Sequence, residues 1–309
     1  PRLVCSTLSG KPIKIKDIRP NDEEEPGLRS FEASLLRLIE KVTNGCEVEI
    51  NETGTLLVYR PGFVRGGEIE HDCGTSRAIG WFVEALIPLA IFSKFPFNIT
   101  LTGITNDDLD PSVDALKHVT LPLLKNFGLD EGLALEIHAR GAPPGGGGRV
   151  TFRCPCVRKI RPLDLTQTGL VKRVRGVAYA TRVSPQTANR AVTSARGPLN
   201  RLLPDVYIYT DHAKGKAAGK SPGYAVALFA ETTTGCLLVA EGAAAAASAP
   251  STTSAPDPAA TSATSVGDLA SGAAAGSAGA PPISPEDLGH QVAEALLQEV
   301  YRGGCVSTA

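Results

Sequence analysis

The sequence predicts an α/β protein in which helices pack on one face of mixed sheets. Segments with apolar residues at helical spacing alternate with short segments in which every second residue is apolar. Between Gly67 and Arg153 these segments follow the order strand-helix-strand-helix-strand-strand. Hydrophobic residues make up 42% of the 309-residue chain, which is enough for a large core and excludes a mainly disordered protein.

The first predicted unit is a helix followed by a hairpin. Apolar residues recur at helical spacing from Leu28 to Val42, between a Pro-Gly and an Asn-Gly dipeptide. Two alternating segments, 47–50 and 55–59, then flank a four-residue turn. This pattern predicts two antiparallel strands.

The second unit contains the complete series of strands and helices. Its predicted strands and helices are strands 67–72, 98–102, 133–139 and 149–153, and helices 75–93 and 112–126. The glycine-rich loop 141–148 lacks the Gly-Lys-Ser/Thr ending of a nucleotide-binding loop, so we interpret it as a hairpin connection. The apolar run 81–92 is shorter than the roughly 20 residues that cross a bilayer, and we expect no membrane partner.

The remaining sequence predicts a smaller domain and a loop. Residues 1–173 are assigned to the main domain, and 174–241, read as strand, helix and three strands, to a small inserted α/β domain. Residues 242–283 are almost wholly Ala, Ser, Thr, Gly and Pro, and we expect a disordered loop because they cannot bury enough apolar surface. A helix in 284–309 either continues the insert or returns to the main domain, and we expect the natural chain to continue beyond it.

Short motifs occur in order through these elements. They include Arg60-Pro61-Gly62, Glu70-His71-Asp72-Cys73, Gly103-Ile104-Thr105-Asn106-Asp107, Val183-Ser184-Pro185-Gln186 and Tyr207-Ile208-Tyr209-Thr210-Asp211-His212. Together they resemble the RNA 3'-terminal phosphate cyclase family, in particular its eukaryotic cyclase-like branch. The resemblance implies the cyclase fold, with repeated strand-helix-strand-helix-strand-strand units and a smaller inserted α/β domain.

The resemblance also implies a function. It points to a ribosome biogenesis factor of the small-subunit processome in the nucleolus, which supports early cleavages of the small-subunit ribosomal RNA precursor. The implied partners are a ribosome-assembly GTPase, precursor ribosomal RNA and a small nucleolar ribonucleoprotein.

Departures from the cyclase pattern predict a protein without cyclase activity. Cyclases have a Gly-Glu-Gly-Gly-Gly-Gln segment that would precede Arg2, and a nucleophilic histidine that would lie beyond Ala309. Phe31 and Glu32 stand where the resemblance places two polar active-site groups. We expect no catalytic residue and no cofactor, while an active ATP-dependent cyclase and an endoribonuclease acting on precursor ribosomal RNA remain the alternatives.

The cysteine pattern predicts no metal site, and the aspartate pattern does not define an endoribonuclease site. The spacing in Cys154-Pro155-Cys156 is too short for the usual zinc site, and no second Cys/His pair is near it in sequence. Asp107, Asp108 and Asp110 precede a predicted helix, where acids favour the cap and the helix dipole.

The net charge is −1, so attraction to RNA would require local clusters of basic residues. The candidate RNA- or anion-binding residues are Arg60, Arg65, Arg158, Lys159, Arg161, Lys172, Arg173, Arg175, Lys214, Lys216 and Lys220. Their charges could pair with phosphates without reading sequence, meet acidic segments of a protein partner, or form a solvated surface. Gly66-Gly67, near Arg60 and Arg65, could hold a phosphate or form a plain tight turn.

Overall fold

The structure is a computed structural model that describes residues 1–23, 25–129, 131–157, 159–245 and 283–306. Within these ranges the chain forms four sheets, two of them four-stranded. This architecture confirms the predicted α/β class. In the same ranges, no helix combines the length and the apolar character needed to cross a bilayer.

The N-terminal unit contains two helices and two small sheets. Its elements are α1 (Arg2–Ser9), β1 (Ile13–Ile15), α2 (Ser30–Val42), β2 (Thr43–Asn44), β3 (Glu47–Ile50), β4 (Leu57–Arg60) and β5 (Phe63–Val64). The predicted helix and hairpin correspond to α2 and to the antiparallel pair β3–β4. Leu35, Leu38, Ile39 and Val42 form the buried stripe of α2, as the apolar periodicity requires. Strand β1 adds to the other edge of β4.

The middle unit follows the predicted order. Its elements are β6 (Gly67–Asp72), α3 (Ile79–Ile91), β7 (Phe97–Gly103), α4 (Val113–Ala115), α5 (Leu121–Asn126), β8 (Ala134–Ala139) and β9 (Gly148–Cys154). One π-helical segment, Leu116–Thr120, joins α4 to α5. The strands form what we call the middle sheet, in the order β6-β7-β9-β8, with β6 parallel to β7 and the other pairs antiparallel.

The C-terminal unit has the predicted strand, helix and three strands, followed by one helix. Its elements are β10 (Val171–Thr181), α6 (Pro185–Asn200), β11 (Val206–Ala213), β12 (Gly223–Thr232), β13 (Leu237–Ala245) and α7 (Pro285–Arg302). The strands form the C-terminal sheet, in the order β11-β10-β12-β13, and only β10 and β11 are parallel.

Both faces of the C-terminal sheet are covered. Helices α6 and α7 pack on one face and on each other. On the opposite face, Val177, Ala227 and Phe229 contact Ala115 and Val119 of the middle unit. Burial on both faces explains why the strand sequences are nearly continuous apolar runs.

The boundaries of this unit differ from the expected ones. Strand β10 begins at Val171, three residues before the expected start of the insert. Strand β13 continues to Ala245, although a loop is predicted from Gly242, because the alanines pair with β12 and Ala244 joins the core. The rest of the predicted loop, 246–282, lies outside the described residues. Helix α7 packs against α6, β12 and β13.

Candidate nucleic-acid interface

Arg60 and Arg65, the first two predicted basic residues, lie at the end of β4 and just after β5. The Arg60 guanidinium donates to the carboxylates of Glu47 and Glu49 on β3, at 3.0 and 2.5 Å. Hydrogen bonds and charge from Glu49 and Glu47 raise the pKa of Arg60. The charge of Arg60 is therefore already balanced across the hairpin. The backbone N–H of Arg65 donates to the carbonyl of Val42 at 2.9 Å.

The Gly66-Gly67 turn has a structural reason for its first glycine. Gly66 has a φ of +76°, and a Cβ atom there would lie 2.4 Å from the carbonyl oxygen of Phe95. A side chain would therefore clash as well as strain the backbone. This close approach explains the glycine without a bound phosphate.

The predicted basic tract between the two large sheets is divided in the structure. Arg158 lies outside the described residues, and Lys159 is exposed in the connection between the sheets. The Arg161 N–H donates to the carbonyl of Phe127 at 2.9 Å, and the Arg161 side chain lies beside Gly128. This end of the tract is therefore held at the end of α5.

The three predicted residues on β10 have different surroundings. Arg173 donates to Glu231 at 2.6 Å, and Arg175 donates to both carboxylate oxygens of Asp205, at 2.8 and 3.0 Å. The Asp205 hydrogen bonds raise the pKa of Arg175, and Arg175 lowers that of Asp205. Lys172 is exposed. The two arginines thus have charges that acids already balance.

Lys214, Lys216 and Lys220 lie on one connected loop, residues 214–220, which we call the lysine loop. All three are exposed, and none forms an ion pair within the part of the chain that the structure describes. A short 3-10 helix, Gly215–Ala217, forms the first half of the loop. These three ammonium groups are therefore available to phosphates, and their assignment to RNA stays a prediction.

The glycine-rich loop 141–148 fixes the lysine loop in place. The N–H of Lys220 donates to the carbonyl of Gly146 at 2.8 Å, and the N–H of Gly145 donates to the Ser221 hydroxyl at 2.8 Å. The N–H of Gly219 donates to the carbonyl of Arg140 at 2.6 Å. The glycine loop does join β8 to β9, and its backbone also anchors the cationic segment.

A buried ion network centred on Arg140 lies next to the contact between the glycine-rich loop and the lysine loop. Arg140 is 3% exposed, and its Nη2 and Nε donate to Asp114 and Asp211 at 2.9 and 3.0 Å. The guanidinium also lies 4.8 Å from the ring centroid of Tyr179, while the Asn106 amide donates to Asp114 at 3.1 Å. Burial alone would raise the pKa of Asp114, but the charge and hydrogen bonds of Arg140 hold it below its usual value. Both groups are therefore charged and fixed in place, which suits a support better than a proton donor.

The three aspartates that precede α4 (Asp107, Asp108 and Asp110) accept hydrogen bonds from other residues of the chain. Asp110 accepts from Arg77 and from the N–H of Ala78, and Asp107 accepts from the N–H of Asp110. Asp108 accepts from the N–H of Ala243 on β13 at 2.9 Å. Because each carboxylate accepts a backbone N–H, the cluster joins and caps structural elements.

Glu241 connects the C-terminal sheet to the first turn of α4. Its carboxylate accepts from the N–H of Ser112 at 2.9 Å and from the Ser112 hydroxyl. Burial raises the pKa of Glu241, and the Ser112 bonds oppose that rise without cancelling it. The same Ser112 hydroxyl caps α4 by accepting from Ala115. The contact therefore couples the two units through a largely buried acid.

Phe31 and Glu32 have structural roles. The Phe31 ring packs edge-on against Trp81 with centroids 5.2 Å apart, and the Arg77 guanidinium lies over both rings. The Glu32 carboxylate accepts from the N–H of Arg29 at 2.9 Å and pairs with Arg19. Both side chains therefore make contacts within the protein.

The histidines and cysteines of the described ranges form no metal centre. His71 bonds to Ser34 at 2.9 Å, and burial together with the charge of Lys41 lowers its pKa. His118 stacks on Phe229. Burial raises the pKa of the Cys154 thiol to about 11. No group of three or more His, Cys, Asp or Glu residues there is arranged to hold a metal ion.

Two polar side chains near the lysine loop are not among the predicted binding residues. Arg182 directly follows β10, and His212 lies near the end of β11. Because these strands are parallel, their carboxyl ends meet at the same edge of the sheet. The predicted order strand-helix-strand is typical of a parallel strand pair, and it could have indicated that the residues at the ends of these two strands lie close together.

Comparisons with known proteins agree with the motifs. The family model described as RNA 3'-terminal phosphate cyclase matches residues 1–307. The chain is 52% identical over 308 residues to the RNA 3'-terminal phosphate cyclase-like protein of Homo sapiens, an alignment that covers 99% of this chain and 74% of that protein. It is 43% identical over 307 residues to the rRNA processing protein rcl1 of Schizosaccharomyces pombe, covering 99% and 75%.

Proposed function

We propose, for a chain that belongs to the RNA 3'-terminal phosphate cyclase family, a non-catalytic role in ribosomal RNA processing. The relative from Schizosaccharomyces pombe is named as an rRNA processing protein, which supports this role. The finer proposal is a scaffold in the small-subunit processome, in the nucleolus. There it would bind a ribosome-assembly GTPase, a small nucleolar ribonucleoprotein and the precursor ribosomal RNA.

The observation that carries the non-catalytic proposal is the use of Phe31 and Glu32. The resemblance to cyclases assigns polar active-site groups to these positions. In this chain one is an aromatic ring packed on Trp81, and the other is bound to Arg19 and the N–H of Arg29. An adenylyl transfer site needs donors that stabilise charge on the reacting phosphate, and neither residue provides one.

The RNA contact in this proposal belongs to the lysine loop. Its three ammonium groups are exposed and, within the described residues, have no acidic partner. Each lysine that meets a phosphate releases condensed counterions, and such contacts do not depend on base sequence. The arginines of β10 are more suited to holding the sheet, because Glu231 and Asp205 balance their charges.

Label transfer tests the absence of catalysis. The purified protein is incubated with ATP labelled at the α-phosphate and with RNA that ends in a 3'-phosphate. We expect no covalent adenylate on the protein and no cyclic phosphate on the RNA. An active cyclase assayed in parallel is the positive control. Stoichiometric adenylate on this protein would contradict the proposal and support the cyclase alternative.

A further inference from the structure

A surface cavity of about 300 Å³ opens at the carboxyl ends of the parallel strands β10 and β11, beside the first turn of α6. This end of parallel strands is where open α/β sheets bind ligands. The polar side chains that line the cavity belong to Arg182, His212 and Lys214, and no acidic residue lines it in the described part of the chain. The lining is therefore selective for an anion by charge.

Arg182 is held in an uncommon conformation at the rim. Its φ is +53°, in the left-handed region that residues with a Cβ rarely adopt. Its Nε donates to the carbonyl of Gly219, and its two terminal nitrogens have no hydrogen-bond partner among the described residues. Backbone strain of this kind persists where surrounding structure holds it and is common at ligand sites. The guanidinium is thus fixed by one nitrogen, with two donors left for a ligand.

His212 and Lys214 complete the polar lining. The Nδ1 atom of His212 is buried, yet it has no hydrogen-bond partner in the described ranges. The nearest acid in sequence, Asp211, bonds instead to Arg140 at 3.0 Å. The dipole of the 16-residue helix α6 adds a smaller attraction for negative charge.

We infer that this cavity binds one phosphate group of an RNA chain. The inference rests on the proposed association with RNA and names the residues that hold one of its phosphates. Arg182 would donate from its terminal nitrogens, and Lys214 would supply a second charge. The exposed lysines Lys216 and Lys220 would contact neighbouring phosphates along the chain.

Binding of a labelled ten-nucleotide oligouridine, measured by fluorescence anisotropy at about 0.1 M salt, tests the inference. Arg182→Gln should weaken binding about tenfold or more, the effect of losing charge-assisted hydrogen bonds. Arg201→Gln is the matched control, because Arg201 is exposed at the other end of α6 and makes the same change in charge. We expect less than a twofold effect there. Equal effects of the two variants would overturn the inference.

A second variant separates binding from folding. Arg182→Gly relieves the positive φ, so it should melt at or above the temperature expected for Arg182→Gln while binding RNA equally weakly. Normal RNA binding by Arg182→Gly would overturn the inference.

Two further experiments distinguish a failure of the cavity inference from a failure of the proposed RNA association. If Lys216→Gln/Lys220→Gln weakens RNA binding and Arg182→Gln does not, RNA association stands and the cavity inference is wrong. If the unchanged protein binds no RNA, the proposed RNA contact fails, and so does the assignment of RNA as the ligand. Inorganic pyrophosphate then tests the phosphate site itself: it should raise the melting temperature of the unchanged protein but not that of Arg182→Gln. Equal shifts, or none, would contradict the site.

Discussion

The middle and C-terminal sheets each have four strands and one parallel pair, but their cores differ in side-chain size. The middle sheet buries large rings, including Phe82, Phe97 and Phe152, all at most 1% exposed. The core between the C-terminal sheet and its two helices contains many alanines, among them Ala178, Ala180, Ala188, Ala191, Ala195, Ala240 and Ala244. Small residues let α6 and α7 approach each other and the sheet closely. The two regions therefore reach dense packing by different means.

The parallel pairs also occupy different positions. In the middle sheet, β6 lies at the edge and β7, the second strand of the parallel pair along the chain, is internal. In the C-terminal sheet the first strand of the pair, β10, is internal. Strand β11 is consequently an edge strand, and the chain that leaves it forms the exposed lysine loop. The comparison indicates that the middle unit mainly supplies core and anchoring, and the C-terminal sheet presents cationic groups.

The largest expected effect on stability comes from a substitution where α6 and α7 approach each other closely. A Cβ atom on Gly289 would lie 2.2 Å from the carbonyl oxygen of Ala191. Gly289→Ala should therefore lower the free energy of unfolding by about 1–3 kcal/mol, as overpacking does. Gly197→Ala on α6 is the control, because no atom outside its chain neighbours and the nearby backbone of its own helix lies within 4 Å of the added carbon. Pro198 follows Gly197 and disfavours a helical residue with a Cβ before it, so this change should bring no helical gain and shift stability by less than about 0.5 kcal/mol. Chemical denaturation of both variants measures the difference, and a neutral Gly289→Ala would contradict the small-residue packing.

The contact between the two units predicts a smaller, pH-dependent effect. Burial raises the pKa of Glu241, so the folded state binds a proton that the unfolded state has already lost. The contribution of Glu241 to stability therefore falls as pH rises from its unfolded value of about 4.3 through the folded pKa. Asp114 has a lowered pKa, and its contribution is lost in the opposite direction, as pH falls below about 3.9.

Glu241→Gln removes only the first of these two contributions. Relative to the unchanged protein, the variant should gain stability as pH rises above about 4.3, by on the order of 1 kcal/mol. Denaturation curves measured from pH 4 to pH 8 provide the test. A constant difference across this range would mean that the carboxylate is not buried against Ser112.

Regular elements could be predicted from the sequence, because hydrophobic periodicity is local. The order of strands and helices from Gly67 to Cys154 agrees with the prediction. The end of β13 could not be predicted, since an alanine run has no strand pattern and Ala243–Ala245 is defined by pairing with β12. The helix predicted from residue 75 begins at Ile79, because Asp110 holds Arg77 and the N–H of Ala78.

The candidate site could be predicted only in part, for a related reason. The sequence places Arg173 and Arg175 among the candidate RNA- or anion-binding residues, because acidic residues are sparse near them in the chain. Their partners, Glu231 and Asp205, are 58 and 30 residues away and become neighbours only when the sheet forms. The sequence groups the three lysines of the lysine loop, and their role in RNA binding stays a prediction. The cavity beside them depends on the parallel register of β10 and β11.

The most direct test of the account is the salt dependence of RNA binding. It compares a variant of the lysine loop, Lys214→Gln/Lys216→Gln/Lys220→Gln, with the β10 variant Arg173→Gln/Arg175→Gln. The slope of log K against log salt should become shallower by about two to three units in the first variant, roughly one for each lost phosphate contact. In the second variant it should change by less than about half a unit, because acids already balance both charges. A larger change in the arginine variant than in the lysine variant would contradict the account.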